Sequence, residues 1–155
     1  MLNLHGSKLH VMTEINIANE LFLNKKFEDA VLQYEKILKN DPHDLTALNN
    51  NGYTLSKLKR YDAAIECYNR SLQIKPDDKL VQINIISVYR KTGRIDDALE
   101  LCNKILEKNP DELIVLYHKL RLLKKSNKIT ESNEICNKIL KKYPYNTDVQ
   151  NELIK

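Results

Sequence analysis

The chain has 155 residues, 42% hydrophobic and 30% charged, with a formal net charge of +4. That is enough apolar material for one folded domain, and no window of 18 or more apolar residues offers a membrane span. Residues 1–12 lack the long apolar stretch of a secretory signal, and with three glycines there is no glycine-rich phosphate loop.

Residues 1–10 show no helical periodicity and are expected to form a disordered tail. Gly6-Ser7-Lys8-Leu9-His10 reads either as appended sequence, with Met12 as the natural start, or as a frayed terminus. The first helix is predicted from about Thr13, with Ile17, Ala18 and Leu21 on one face. Asn24-Lys25-Lys26 makes a turn, and a second helix runs from Phe27 or Glu28 to about Asn40. Glu28 and Asp29 at its start and Lys36 and Lys39 at its end suit the helix dipole. Pro42 stops it, and Asp44 is placed to cap the next helix.

The same punctuation then returns. The four prolines, Pro42, Pro76, Pro110 and Pro144, stand 34 residues apart. Internal turns recur at Leu58-Lys59-Arg60, Thr92-Gly93-Arg94 and Ser126-Asn127-Lys128, and the last joint offers Asn146 or Thr147 as cap. Residues 147–155 begin a short ninth helix, either a small cap or the cut edge of a longer array. No strand pattern competes with this periodicity.

Stacked at the 34-residue step, the units form columns. A small column is Ala30, Ala64, Ala98, Ser132, and large ones are Leu21, Leu55, Tyr89, Leu123 and Tyr34, Tyr68, Cys102, Cys136. Phe27, Tyr61, Ile95 and Ile129 open the second helices. A small site on the first helix holds Ala18 and Gly52 but gives way to Ile86 and Leu120, and Lys119 falls where Ile17 and Ile85 stand. In period and columns the chain resembles the tetratricopeptide repeat family. The resemblance covers roughly residues 11–146, as repeats 11–44, 45–78, 79–112 and 113–146, and is weakest in the fourth. It implies an all-α, right-handed solenoid of antiparallel helix pairs, in which function sits on a concave groove lined by first helices.

Three cysteines inside helical columns, too far apart to bridge, indicate a reduced, cytoplasmic setting. Cys67, Cys102 and Cys136 also lack the short local spacing of a zinc site. The four histidines are isolated, and no catalytic motif appears. The chain is therefore read as neither an enzyme nor a cofactor or metal protein.

The groove columns carry the functional reading. Asn16, Asn50, Asn84 and His118 form one column. A carboxamide both donates and accepts, so it can pair with a peptide bond. On first helices about 10 Å apart, an extended ligand at about 3.3 Å per residue meets one Asn every third residue. This is similar to the asparagine ladder of the tetratricopeptide superhelix in O-linked GlcNAc transferases. The bland alternative is compositional, since Asn49, Asn50 and Asn51 run consecutively. Flanking columns are Met12, Thr46, Leu80, Ile114; Ile15, Asn49, Ile83, Tyr117; and Asn19, Tyr53, Ser87, Arg121. Lys57, Arg90, Lys91, Lys124 and Lys125 supply a basic rim.

The carboxylate clamp of chaperone-binding tetratricopeptide domains matches only in its amides, Asn19 and Asn50. Its cation positions hold Ile15, Leu80 and Asn84, and a start one unit later fits worse. Charge is uneven along the chain: residues 11–44 carry four basic and seven acidic side chains, residues 113–146 eight basic and two acidic. The expected function is capture of an extended, acidic peptide segment from a protein partner, with no membrane partner and nucleic acid not the expected ligand. The alternatives are head-to-tail self-assembly through an exposed face at Val149, Leu153 and Ile154, or a targeting domain of a larger enzyme.

Overall fold

The computed structural model describes residues 4–153, with side chains from residue 14 onward. Nine α-helices and no strands occur among the described residues: α1 Leu4–Leu23, α2 Phe27–Asn40, α3 Leu45–Lys57, α4 Tyr61–Ile74, α5 Lys79–Thr92, α6 Ile95–Lys108, α7 Leu113–Lys125, α8 Ile129–Lys142 and α9 Thr147–Leu153. The predicted pairing therefore holds: α1, α3, α5 and α7 are the first helices of four pairs. The backbone of α1 begins at Leu4 rather than near Thr13. No proline interrupts this stretch, and extending a nucleated helix costs little. Residues 1–3 of the expected tail lie outside the described residues.

Each helix pair is closed by the same backbone device. Lys25, Lys59, Gly93 and Asn127 all take positive φ, between 57° and 79°. The following residue bonds back five positions, as in Lys26 N–H to Leu21 O and Arg60 N–H to Leu55 O, both 2.9 Å. This left-handed residue ends the first helix and turns the chain antiparallel. At the joints between repeats, Asp44 Oδ1 accepts from the Ala47 amide at 2.8 Å, Asp78 Oδ1 from Val81 at 3.3 Å and Asn146 Oδ1 from Val149 at 3.2 Å. Asn146, not Thr147, is the last cap, and Glu112 makes no such bond.

The chain divides into two compact units, Met1–Asn84 and Ile85–Lys155, with the boundary inside α5. In the first, Ala18, Ala30, Tyr34, Ile37, Leu38, Ala47 and Leu48 form a buried cluster, with Ile15, Leu21 and Phe22 packed on it. The small site at Gly52 faces a large neighbour: a Cβ built there would lie 2.7 Å from Tyr68 Cε1. In the second unit the same two positions hold Ile86 with Cys102 and Leu120 with Cys136, all buried. Bulk has moved from the second helix to the first. The departures at Ile86 and Leu120 are thus compensated sixteen residues later by a small thiol.

All three cysteines are free and buried. Burial pushes the Cys67 thiol up to about 11 and Cys102 to about 12. Ile129, expected to open α8 as an apolar contact, is 63% exposed.

Candidate peptide-binding face

On the first unit, α1 and α3 lie side by side and bring Asn19 and Asn50 together. Asn50 Nδ2 donates to Asn19 Oδ1 at 2.9 Å, and the Tyr34 hydroxyl donates to the same oxygen at 2.7 Å. Tyr34 is almost fully buried. Burial pushes its phenol above the ordinary range, against a lowering from the Asn50 amide, so it stays protonated and available as a donor. Its part in the site was missed from sequence, where Tyr34 reads as a core column residue. In the next repeat the equivalents of Asn19 and Asn50 are Tyr53 and Asn84, and the buried Tyr68 hydroxyl has no hydrogen-bond partner.

The network fixes the two amides. With Asn19 Oδ1 occupied from below and from the side, its Nδ2 remains as a donor, and Asn50 Oδ1 remains as an acceptor. Asn16 is exposed and Asn84 half-buried, each without a side-chain hydrogen bond among the described residues. Tyr53 is 41% exposed, with its ring 5.5 Å from Phe22, which packs in turn on Phe27 at 5.4 Å. Lys57 Nζ lies 4.9 Å above the Tyr53 ring. Ile83 is half-buried, Leu80 exposed, and Met12 outside the described side chains.

On the second unit, Ser87, Tyr117 and His118 are half-buried, while Arg121 and Ile114 are exposed. Tyr117, Arg121 and Lys124 of α7 line a cleft of about 460 Å3, whose far wall is Asp148 and Glu152 of α9. Asn146 Nδ2 bonds the Tyr117 hydroxyl, so the residue that caps α9 also holds the cleft. Burial, then the Arg90 and Arg121 cations, hold His118 below the ordinary imidazole range.

The basic rim is less available than its composition suggests. Lys57 is engaged by the Tyr53 ring. Lys124 is ion-paired with Glu152 and also donates to its carbonyl at 2.9 Å. Lys125 Nζ lies 3.3 Å from the Arg90 carbonyl, and Lys91 has contacts of its own. The exposed apolar face expected at the ninth helix is also corrected. Val149 is fully buried and Leu153 half-buried, because α9 docks on α8; Ile154 lies outside the described residues. No group of three metal-ligating side chains occurs among the described residues, and no described helix is long and apolar enough to cross a membrane.

Residues 46–78 match the family model described as tetratricopeptide repeat. No curated protein sequence matches the chain. Among solved structures, a tetratricopeptide repeat protein from Parabacteroides merdae is 20% identical with a TM-score of 0.82, covering 94% of this chain and 57% of its own. The chain thus spans a little over half of that protein. MamA from Desulfovibrio magneticus RS-1 is 16% identical, with a TM-score of 0.79 over 92% of this chain and 81% of its own. YrrB, described as a TPR protein with an unusual peptide-binding site, is 20% identical, with a TM-score of 0.70 over 88% of this chain and 70% of its own. One repeat thus matches the family model outright, and the chain has the tetratricopeptide-repeat fold that these structures share.

Proposed function

We propose that this chain is a non-catalytic interaction module that holds an extended peptide segment of a protein partner against its first helices. Tetratricopeptide-repeat folds are scaffolds for protein–protein contact, and one structural neighbour is described by a peptide-binding site. The observation that carries the reading is the Asn19–Asn50 pair seated on Tyr34. A peptide bond presents one donor and one acceptor, and this pair offers one of each in fixed orientation. Because the support is a buried hydroxyl, little side-chain entropy remains to be lost on binding.

Asn16 and Asn84 extend the amide column on either side, and Tyr53 and Ile83 select side chains beside it; on the second unit Tyr117 offers a contact of the same kind. Ser87 adds a polar contact. The preference for acidic segments rests on Arg90 and Arg121, since Lys57, Lys124 and Lys125 are engaged within the chain. The buried thiols suit a reducing, cytoplasmic compartment.

The test is selection of extended peptides from a random library on the wild-type chain, followed by affinity measurement on variants. Asn50→Ala with Asn84→Ala is expected to weaken the selected peptides about tenfold or more, with an unchanged helical spectrum. Unaltered affinity in that folded double variant would remove the amide column from the site.

A further inference from the structure

Arg90 stands near the end of α5, and its Nε is buried without a hydrogen-bond partner. A charged donor left unpaired out of water is costly. His118 of α7 repeats the anomaly, for its Nδ1 is also buried and unpartnered. Arg121 follows one turn later on the same helix face and is exposed. One further turn on, Lys125 Nζ meets the Arg90 carbonyl at 3.3 Å and keeps this face of α7 beside the end of α5.

The two guanidinium groups act on the imidazole from different helices, and no carboxylate offsets them there. Among the described residues neither arginine makes an ion pair. Lys124, further along α7, is committed to Glu152 on the α9 side. The cluster therefore concentrates positive charge and orphaned polar nitrogens in one place, with nothing from the chain to complete it.

We infer that Arg90, His118 and Arg121 form a seat for a phosphate monoester, carried as a phosphorylated side chain on the bound peptide. A phosphate brings three acceptor oxygens and about −1.5 to −2 charge at neutral pH, where a carboxylate brings two oxygens and one charge. Two planar guanidinium forks match that geometry, and the ring nitrogen supplies a third contact. The inference rests on the reading above in one respect only, that the phosphate arrives on a peptide.

Inorganic phosphate is titrated into the full chain at constant ionic strength while the imidazole resonances are followed by NMR. A saturating shift is expected at His118, with His43 unmoved. Arg90→Gln and Arg121→Gln should each weaken saturation about tenfold or more, and Lys128→Gln should leave it unchanged. Arg121 is exposed, so that variant keeps the test valid if Arg90→Gln perturbs folding. Parallel drift at His118 and His43, without saturation, would overturn the seat.

A library-selected peptide is then compared in its serine and phosphoserine forms. Tighter binding of the phosphorylated form, lost in Arg121→Gln, supports the peptide source. Saturation by inorganic phosphate with no gain from peptide phosphorylation would overturn that source and assign the seat to the free anion. The inorganic phosphate titration does not depend on Asn50, so failure of the seat and failure of the amide column are told apart.

Discussion

A single methyl group is enough to probe the packing at Gly52, where an added Cβ would sit 2.7 Å from the Tyr68 ring. Gly52→Ala should cost about 1–3 kcal/mol by overpacking, read by urea denaturation, and the same change should cost less in a Tyr68→Cys background. A double variant whose loss equals the sum of the two single losses would show that the two sites do not share their space. The exchange of bulk at Ile86 with Cys102 was already printed in the sequence columns. Column comparison treats each position separately, however, and only burial shows that the two changes answer each other. The asparagines of the site were legible as a column for the same reason. The Asn19–Asn50 bond and its Tyr34 support were not, since spacing along a helix does not set the register between helices. Tyr34→Phe should therefore weaken peptide binding while costing only about 1 kcal/mol in stability; unchanged binding would make the hydroxyl a packing detail. His118 gives a pH signature. Its folded pKa lies below the ordinary 6.5, so as pH falls through that value the unfolded chain takes up a proton the folded chain resists. Stability then declines on acidification, and His118→Asn should flatten that decline in denaturant midpoints taken from pH 7.5 to 5.

At the scale of the element, the turn residues set the helix lengths. Lys59 and Gly93 occupy equivalent left-handed positions, at φ 60° and 79°. A lysine there pays a steric penalty that glycine avoids. Lys59→Gly should raise stability by about 0.5–1 kcal/mol, whereas Gly93→Ala should lower it by about 1 kcal/mol, although a Cβ at Gly93 meets nothing within 4 Å. Equal and opposite outcomes from urea melts would identify backbone conformation as the cause; a loss in both would point to side-chain contacts of Lys59. The turns were readable from sequence because Lys25, Lys59, Gly93 and Asn127 fall at one 34-residue step. The ends of the array were not. α1 continues back to Leu4 because nothing in the chain stops it, and α9 hides Val149 because its caps and contacts lie across from α7 and α8. Period alone says nothing of a helix that has no second copy.

At the scale of the whole molecule, the repeat period was sufficient to fix the fold class, since one helix pair recurs at a fixed step along the chain. Charge was less informative than its uneven distribution suggested. The eight basic side chains of residues 113–146 include several that α9 and the chain's own carbonyls already occupy, which no count of residues reveals. The placement of the thiols has a further use. Cys67, Cys102 and Cys136 fall in the second helices of the second, third and fourth repeats, and none is exposed. Cys102 and Cys136, fully buried, can meet a solvent-borne alkylating reagent only when their own helix pairs open, and Cys67, at 7% exposure, meets it mainly by the same route. The chain therefore carries a built-in clock for local opening, one hand per repeat from the second onward. Alkylation followed by peptide mass mapping should show three separate rates, each slowed in folded protein, and a ligand on the first helices should retard the repeats it touches before the others.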